Sequence, residues 1–333
     1  MYREMNLENA ARLIEMLGGA EKVAALLSGR SSAGFKYGAL DFGQVEALCN
    51  KLGGIEKVFA IVRGERKVTL ADAIQLLVDQ NGRCIPQSSV TASVCDPNKA
   101  YFFDRTGTVD FTALAKRAKK LFGNCVAVDG KNLEKQFVAI KEMVSNWPTK
   151  DRSQIANLFA GPHFPVVLPK RTKDDYGKVI ESTLLPVLAK AYEMAFPGRQ
   201  FVNYKIGELA KQVEIIDDGH RRLWDDLGKG QVAGILCYPM HGFSVDAQRQ
   251  FSKLMPDFIS LAGPYEAIVA TSMWPKQLAR DFHTPVQDYS AVSWQSPSSS
   301  LCLNAPGGKL AFSGRFNLGF AGGNCSGGLF VRG

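Results

Sequence analysis

One seventeen-residue pattern occurs twice near the start of the chain. Residues 13–29 read LIEMLGGAEKVAALLSG and residues 48–64 read LCNKLGGIEKVFAIVRG, with nine identical positions at an offset of 35 residues. In both copies apolar residues at helical spacing flank a Gly-Gly pair, which predicts two short helices joined by a glycine turn. Stacked units of this kind bury apolar faces that a single unit cannot bury alone. The repeat therefore predicts an N-terminal module of helical hairpins, and it indicates architecture rather than chemistry.

The composition beyond the second copy predicts where this module ends. Thr69, with Asp72 three residues later, resembles a capping box and predicts a helix that runs to about Asp79, before Asn81-Gly82. We therefore expect a helical repeat module over residues 1–83, made of two hairpins and one further helix. Residues 84–98 read CIPQSSVTASVCDPN, with prolines, serines and no helical period, which predicts a linker.

Residues 99–333 have the pattern of an α/β (α+β) domain. Short apolar runs predict strands at YFF (101), CVAV (125), FPVVL (164), VEII (213), VAGILC (232) and FISLA (258). Residues 131–146, 173–195 and 245–254 predict helices between them. In the last 45 residues, short apolar runs separated by Ser, Pro and Gly predict an antiparallel β-meander.

Composition narrows the class of protein. The chain is 46% hydrophobic and 22% charged, which is typical of a soluble globular protein, and it contains no uncharged apolar run long enough to span a bilayer. Its first residues carry acidic side chains and lack the apolar core of a secretory signal, so we predict a cytoplasmic protein that does not enter a membrane. The seven cysteines are scattered and odd in number, which predicts reduced thiols rather than a disulfide scaffold.

Part of the chain resembles a known group of sequences. The segments that carry the resemblance are GILCYPMHGFSVDAQRQFSKLMP, EAIVATSMWPKQLARDFHTP, YSAVSWQSPSSSLCL and SGGLFVRG. They are similar to a family of uncharacterised proteins from candidate-phylum bacteria, whose members often begin with a similar LGGxEKV helical unit. The similarity covers roughly residues 185–333 and the N-terminal repeat. It implies a bacterial, cytoplasmic, modular protein, and it implies no site residues.

The sharpest candidate for chemistry is AYFFDRTGTVD at residues 100–110. It resembles the DKTGTLT signature of P-type ATPases and the first motif of haloacid dehalogenase-like phosphotransferases. That resemblance implies Asp104 as the nucleophile, Thr106 in the acid/base position, and Mg²⁺ held by Asp104 with a later acidic pair. Asp217 and Asp218 stand in the right chain order for this pair. The hypothesis that follows is a Mg²⁺-dependent phosphotransferase or phosphatase.

The departures from that pattern favour a simpler interpretation. No intermediate strand ends in the required Ser or Thr, and no Lys stands out as the phosphate-binding one. Asp-Arg-Thr-Gly-Thr is good turn chemistry, and Asp110 is a natural helix N-cap. We therefore interpret this segment as a turn before a helix, with the enzyme as the alternative. No other cofactor is indicated.

A second candidate is the basic cluster of Lys116, Arg117, Lys119 and Lys120, which with Lys131 and Lys135 could contact phosphates. Residues 84–170 hold twelve basic and seven acidic residues, which is most of the excess in a chain of net charge +8. Cations in the last turns of a helix are also stabilised by its dipole without any ligand. We interpret the cluster as a solvated helix end, with an anion-binding surface as the alternative.

Nucleic-acid binding is a third hypothesis. LGGAEKVAALL resembles the opening of some repressor-type domains, but a reading helix must follow. After the second copy, Gln75 and Gln80 are the only plausible base readers, so DNA or RNA binding is possible but not favoured.

The remaining motifs do not indicate catalysis. GNCSG at residues 323–327 leaves too little chain after it for the Asp and His of a hydrolase, and there is no P-loop or Rossmann fingerprint. The sequence therefore favours a non-catalytic binding or interaction protein that meets a protein partner through its helical repeats.

Overall fold

The computed structural model describes residues 76–148 and 154–333, together with Lys57. The chain divides into two units, Met1–Gln75 and Leu76–Gly333, and the described residues other than Lys57 belong to the second. Both copies of the repeat, Lys57 apart, lie outside the described residues, so the hairpin module stays a prediction. Leu76–Asp79 are not helical, because Val78 instead forms a β-bridge with Cys84.

A mixed β-sheet forms the centre of the domain. The strands of the domain are β1 (His163–Leu168), β2 (Gln200–Asn203), β3 (Val213–Ile215), β4 (Val232–His241), β5 (Ile259–Leu261), β6 (Val286–Tyr289), β7 (Val292–Trp294), β8 (Ser300–Asn304), β9 (Lys309–Arg315) and β10 (Cys325–Arg332). The strand order in the sheet is β1-β4-β10-β6-β8-β9-β2, β5 pairs with β10, and β3 and β7 form a separate pair. The β6–β10 and β2–β9 pairs are parallel and the other pairs are antiparallel.

The helices surround this sheet. They are α1 (Phe111–Phe122), α2 (Gly130–Asn146), α3 (Tyr176–Val179), α4 (Leu185–Ala195), α5 (Asp218–Lys229), α6 (Val245–Phe251), α7 (Pro264–Met273) and α8 (Pro275–Leu278), and a π-helical turn at Ile180–Leu184 joins α3 to α4. Every residue of α7 is buried, which places that helix in the core against β1 and α4. The mixed α/β class is confirmed, and helices are present where residues 131–146, 173–195 and 245–254 predicted them.

Side-chain caps fix where several helices begin. Asp110, Asp129, Asp175, Asp217 and Ser244 each accept a hydrogen bond from the backbone N–H three residues later. These bonds satisfy backbone donors that a helix start leaves without an intrahelical partner. The prediction that Asp110 is an N-cap is confirmed.

Four predicted strands are present and two are not. FPVVL, VEII, VAGILC and FISLA correspond to β1, β3, β4 and β5. YFF at 101 and CVAV at 125 form no strand, so those two predictions are wrong. At 101–103 the backbone lies beside a loop, where the Phe102 N–H donates to the His283 carbonyl. Cys125 ends a 3₁₀ turn and the Ala127 N–H donates to the Gln231 side chain, so neither segment pairs with a strand.

The predicted meander is only partly correct. Strands β6, β8 and β9 are adjacent and antiparallel. The last strand, β10, does not continue this order but returns to the centre between β4 and β6, parallel to β6. Seven of its eight residues are buried, and a strand covered on both faces belongs inside a sheet rather than at its edge.

Residues 84–98 lie against the body of the domain. The Cys84 N–H donates to the Pro239 carbonyl, the Cys95 N–H donates to the Gly242 carbonyl, and Val94 forms a β-bridge with Phe243. The composition of residues 84–98 predicts a linker. Instead, the segment lies alongside the end of β4, and its backbone groups hydrogen-bond to that strand and to the residues that follow it. In the described part of the chain, no helix has the length and apolar character needed to cross a bilayer.

Candidate functional site

The basic segment predicted from sequence forms the helix α1, and its two faces differ. Leu114, Ala115 and Ala118 are buried against the domain. Lys116, Lys119 and Lys120 are on the exposed part of the helix. The sequence FTALAKRAKKLF thus produces an amphipathic helix whose apolar stripe anchors it and whose cations face outward.

Helix α1 forms one wall of a cleft of about 1000 Å³. Helix α4 contributes residues from Pro186 to Ala195, and the junction of α7 and α8 contributes Met273, Trp274 and Pro275. Three secondary-structure elements distant in sequence therefore meet here. Concave sites between helices are common places for ligands to bind.

The lining of this cleft is strongly cationic. Five basic side chains line it, and these are Lys116, Arg117, Lys120, Lys190 and Lys276. Among the residues that the structure describes, Asp110 is the single acidic one in the lining, and its carboxylate already accepts the capping hydrogen bond from the Ala113 N–H at 3.0 Å. A concave surface with charges of one sign concentrates oppositely charged ligands.

The lysines of the cleft are free to meet a ligand. No ion pair joins Lys116, Lys120, Lys190 or Lys276 to a carboxylate among the residues that the structure describes. Arg117 differs, because its guanidinium donates to the Ser272 carbonyl at 3.2 Å, near the end of α7. Burial lowers the pKa of Arg117. This arginine thus fixes α1 against α7, whereas the lysines keep their charge available.

Apolar side chains lie between these cations. Leu114, Ala191 and Met273 are buried at the base of the cleft, and Met194 remains 57% exposed. The Trp274 indole N–H donates to the Pro165 carbonyl at 2.8 Å, which holds the ring in place. Within the described part of the chain, the lining contains the Thr108 hydroxyl but no His, Cys, Ser, Tyr or Glu side chain. The cleft can therefore attract an anion and bury an apolar surface, but it lacks an evident nucleophile–base pair.

The residues of the phosphotransferase hypothesis are described, and they have separate surroundings. Asp104 lies in an irregular segment rather than at a strand end, and its carboxylate pairs with the Arg280 guanidinium at 2.5 Å. Thr106 lies in the same irregular segment, beside Gly107 at φ +64°. This is the turn before a helix that we expected as the simpler interpretation.

Asp217 and Asp218 begin α5 and belong to a second cleft, of about 410 Å³. Burial raises the pKa of Asp217, whose carboxylate accepts the capping bond from the His220 N–H at 2.8 Å. Within residues 76–148 and 154–333, no three His, Cys, Asp or Glu side chains are grouped so that they could hold a metal ion. Asp104, Asp217 and Asp218 therefore form no such group, and the geometry gives the phosphotransferase hypothesis no support.

The sequence did not predict a buried hydrogen-bonded network, which is formed by Tyr176, His220 and Glu266. The His220 ring lies 3.1 Å from Glu266 Oε1 through Nδ1 and 2.8 Å from the Tyr176 hydroxyl through Nε2. The N–H of Gly263 also donates to Glu266 Oε1 at 2.8 Å. His220 is 1% exposed and Glu266 is fully buried, so no substrate reaches them. The network joins α3, α5 and α7, and we assign it a structural role.

A second buried cluster surrounds Asp288 on β6. Arg315 Nε lies 3.5 Å from its carboxylate, and the other end of that guanidinium lies 3.6 Å from Cys325 Sγ. Burial raises the pKa of Asp288 to about 6 and the pKa of Cys325 to about 11. Cys325 is therefore a protonated thiol at neutral pH, and the GNCSG motif holds no activated nucleophile.

Comparison with protein families, with curated protein sequences and with solved structures found no match to this chain. The site must be interpreted from its own geometry.

Sequence reasoning found part of the cationic cleft and missed the rest. Lys116, Arg117 and Lys120 of the predicted basic cluster line the cleft, whereas Lys119, Lys131 and Lys135 do not. Lys190 and Lys276 belong to other helices and carry no local signal. A spacing of four residues separates Pro186, Lys190 and Met194. This spacing could have shown that the three share one face of α4.

Proposed function

We propose that this protein is a non-catalytic binding protein of the cytoplasm, and that the cationic cleft is where its described domain holds an anionic partner with an apolar surface. The observation that carries the proposal is the cleft itself: five cations, one capped carboxylate and an apolar base lie in one concavity. The lysines of the lining are exposed and have no ion pair within the described part of the chain, which favours a ligand that supplies negative charge.

Two further observations support binding rather than catalysis. Among the described residues, the lining includes no His, Cys, Ser, Tyr or Glu side chain that could act as a nucleophile or as its base. The histidine and the cysteine with the most polar surroundings, His220 and Cys325, are buried in other parts of the domain. A cytoplasmic location fits the six cysteines of the described residues, all of which are free thiols.

The helical repeats remain a second candidate contact surface in this proposal. Their pattern predicts a module of stacked hairpins, and such modules commonly present an extended binding surface. The two surfaces can be tested separately because they belong to different units of the chain.

The proposal is tested with anilinonaphthalene sulfonate, a dye with one negative charge and an apolar ring system. We expect saturable dye fluorescence with the full chain. The variant Lys120→Glu/Lys190→Glu, which reverses one cation on each wall, should weaken dye binding by about tenfold or more, since like charges repel. The matched control is Lys119→Glu/Lys131→Glu, which has the same net charge but alters residues outside the lining.

The control variant should bind the dye as the unaltered chain does. Each variant reverses one cation in the last turn of α1, so both should stay folded with small and similar decreases in the urea unfolding midpoint. If both variants bound the dye as tightly as the unaltered chain, the proposal would be contradicted, because the dye would then be bound somewhere other than the cleft. Equal weakening in both variants would also contradict it, since net charge alone would explain the effect.

A further inference from the structure

We propose that the occupant of the cationic cleft is an acidic amphipathic helix of about three turns, supplied by another protein. This inference rests on the proposed function and names the chemistry of the partner.

The walls of the cleft are helical and elongated. Helix α1 has twelve residues, which corresponds to a length of about 18 Å at about 1.5 Å per residue. The lining extends along nearly all of it, from Thr108 before the helix to Leu121, and along α4 from Pro186 to Ala195. An elongated concavity between two helices is the shape in which a third helix packs, with its apolar residues at the i, i+3, i+4 and i+7 positions.

The charges lie on both sides of the apolar base. Lys116 and Lys120 are one helical turn apart on α1, and Lys190 projects from α4. An occupant that satisfies this arrangement has an apolar stripe with carboxylates on either side of it. Acidic amphipathic helices have this pattern, and the net charge of +8 on the whole chain favours their approach.

The apolar base distinguishes a helix from a nucleic acid. Base stacking needs an accessible aromatic face, and Trp274 is the one aromatic residue of the lining. That ring is partly buried and its N–H is tied to Pro165. Met194 and Val187 instead offer thioether and aliphatic surface, and methionine adapts well to the varied side chains of a peptide.

The experiment uses the full chain and three fluorescein-labelled peptides, with binding followed by fluorescence anisotropy. The first peptide carries leucines at i, i+3, i+4 and i+7 positions and glutamates on both sides of them. The second is a scrambled peptide of the same composition, which has no apolar face. The third keeps the leucine pattern but has lysine in place of glutamate.

We expect the amphipathic acidic peptide to bind at least about tenfold more tightly than the other two, because only it matches both the charge and the apolar stripe. Lys120→Glu/Lys190→Glu should abolish the preference for the acidic peptide over the lysine peptide, because the described lining would then hold three cations and three carboxylates. Met194→Glu should weaken the acidic peptide by a similar factor, whereas Lys119→Glu/Lys131→Glu should leave its affinity unchanged.

Other results would overturn the inference. Equal binding of the amphipathic and scrambled acidic peptides would show that charge alone is recognised. Tighter binding of a single-stranded oligonucleotide, or of vesicles containing anionic lipid, in a way that Lys120→Glu/Lys190→Glu abolishes, would assign the cleft to that other class of partner. In each of these cases, cleft-dependent dye binding would persist and the proposed function would stand. Loss of cleft-dependent dye binding would instead remove the proposed function itself.

Discussion

At the scale of single residues, the protonation state of His220 determines how strongly the buried hydrogen-bonded network of Tyr176, His220 and Glu266 stabilises the fold. Burial by itself disfavours the charged imidazolium, but the negative charge of Glu266 and its hydrogen bond outweigh this effect. The net result is a pKa of His220 raised above its ordinary value of 6.5. A raised pKa in the folded state means that protonation stabilises the fold.

Glu266→Gln should therefore destabilise the protein in a pH-dependent way. The stabilising effect of the charged pair is fully present below the unfolded pKa of about 6.5, and it is lost as the pH rises through the raised folded value. We expect the loss of unfolding free energy to be larger near pH 5.5 than near pH 8.5, as measured by urea denaturation. Glu193→Gln, on the exposed face of α4, is the control and should show no such difference. An equal loss at both pH values would show that the pair does not ionise as described.

Asp288 gives a pH dependence of the same sign, in a lower pH range. Burial raises its pKa from 3.8 to about 6, and Arg315 offsets only part of this. The folded state therefore holds the proton more firmly than the unfolded state, and stability falls as the pH rises from about 4 through about 6. This carboxylate is a cost to the fold at neutral pH.

Asp288→Asn should remove that cost. At pH 7.5 we expect the variant to be more stable than the unaltered chain by about 3 kcal/mol, because each pKa unit corresponds to about 1.4 kcal/mol. Near pH 4 the two should be close. Urea unfolding at both pH values makes the comparison, and a variant that is less stable at pH 7.5 would indicate that the Arg315 contact outweighs the burial of the charge.

At the scale of elements, local capping fixes where the cleft wall begins. The Asp110 side chain accepts from the Ala113 N–H at 3.0 Å and starts α1. Asp110→Ala should lower the unfolding free energy by about 1 kcal/mol, since an unsatisfied N-cap typically costs that much. Asp110→Asn keeps the cap and should cost little, although it removes the single carboxylate of the lining. Calorimetric or urea unfolding of the two variants distinguishes the cap from the charge, and an equal loss in both would contradict the role of the cap.

Elements with strong local signals were predictable, and elements defined by their neighbours were not. Adjacent residues provide the signal for the caps at Asp110 and Asp129 and for the apolar runs of β1 and β4. The run at 101–103 looks like a strand, but its rings pack individually: Phe103 stacks on Tyr238 at 4.4 Å between ring centroids, while Phe102 is half exposed. Apolar runs without a neighbouring strand do not form a ladder, and sequence alone does not show the neighbour.

The position of β10 illustrates the same limit over a longer range. Its local pattern predicts a strand, and that strand is present. Its pairing with β4, β5 and β6 depends on chain segments up to about a hundred residues away, so the order of the sheet could not be derived from spacing. The burial of its residues on both faces is the physical feature that selects the central position.

At the scale of the whole molecule, the cleft exists only because three distant helical segments converge. Lys116, Arg117 and Lys120 were recognised as a basic cluster, and a solvated helix end was the favoured interpretation. Tertiary packing brings Lys190 and Lys276 to the same concavity and adds Met194 and Trp274 between them. The charge of α1 was thus predictable, whereas the apolar base and the opposite wall were not.

The measurement that tests the central claim most directly is an NMR titration of the full chain labelled at its methionine methyl groups. Met194 lines the cleft and is 57% exposed, whereas Met255 lines the second cleft and Met240 is buried in the sheet. Met194→Leu identifies the Met194 signal. On addition of the acidic amphipathic peptide, we predict that the Met194 signal shifts in a saturable way while those of Met240 and Met255 stay in place. A saturable shift at Met255 or at another methionine outside the cleft, with Met194 and Met273 unchanged, would contradict the assignment of the cationic cleft as the binding site.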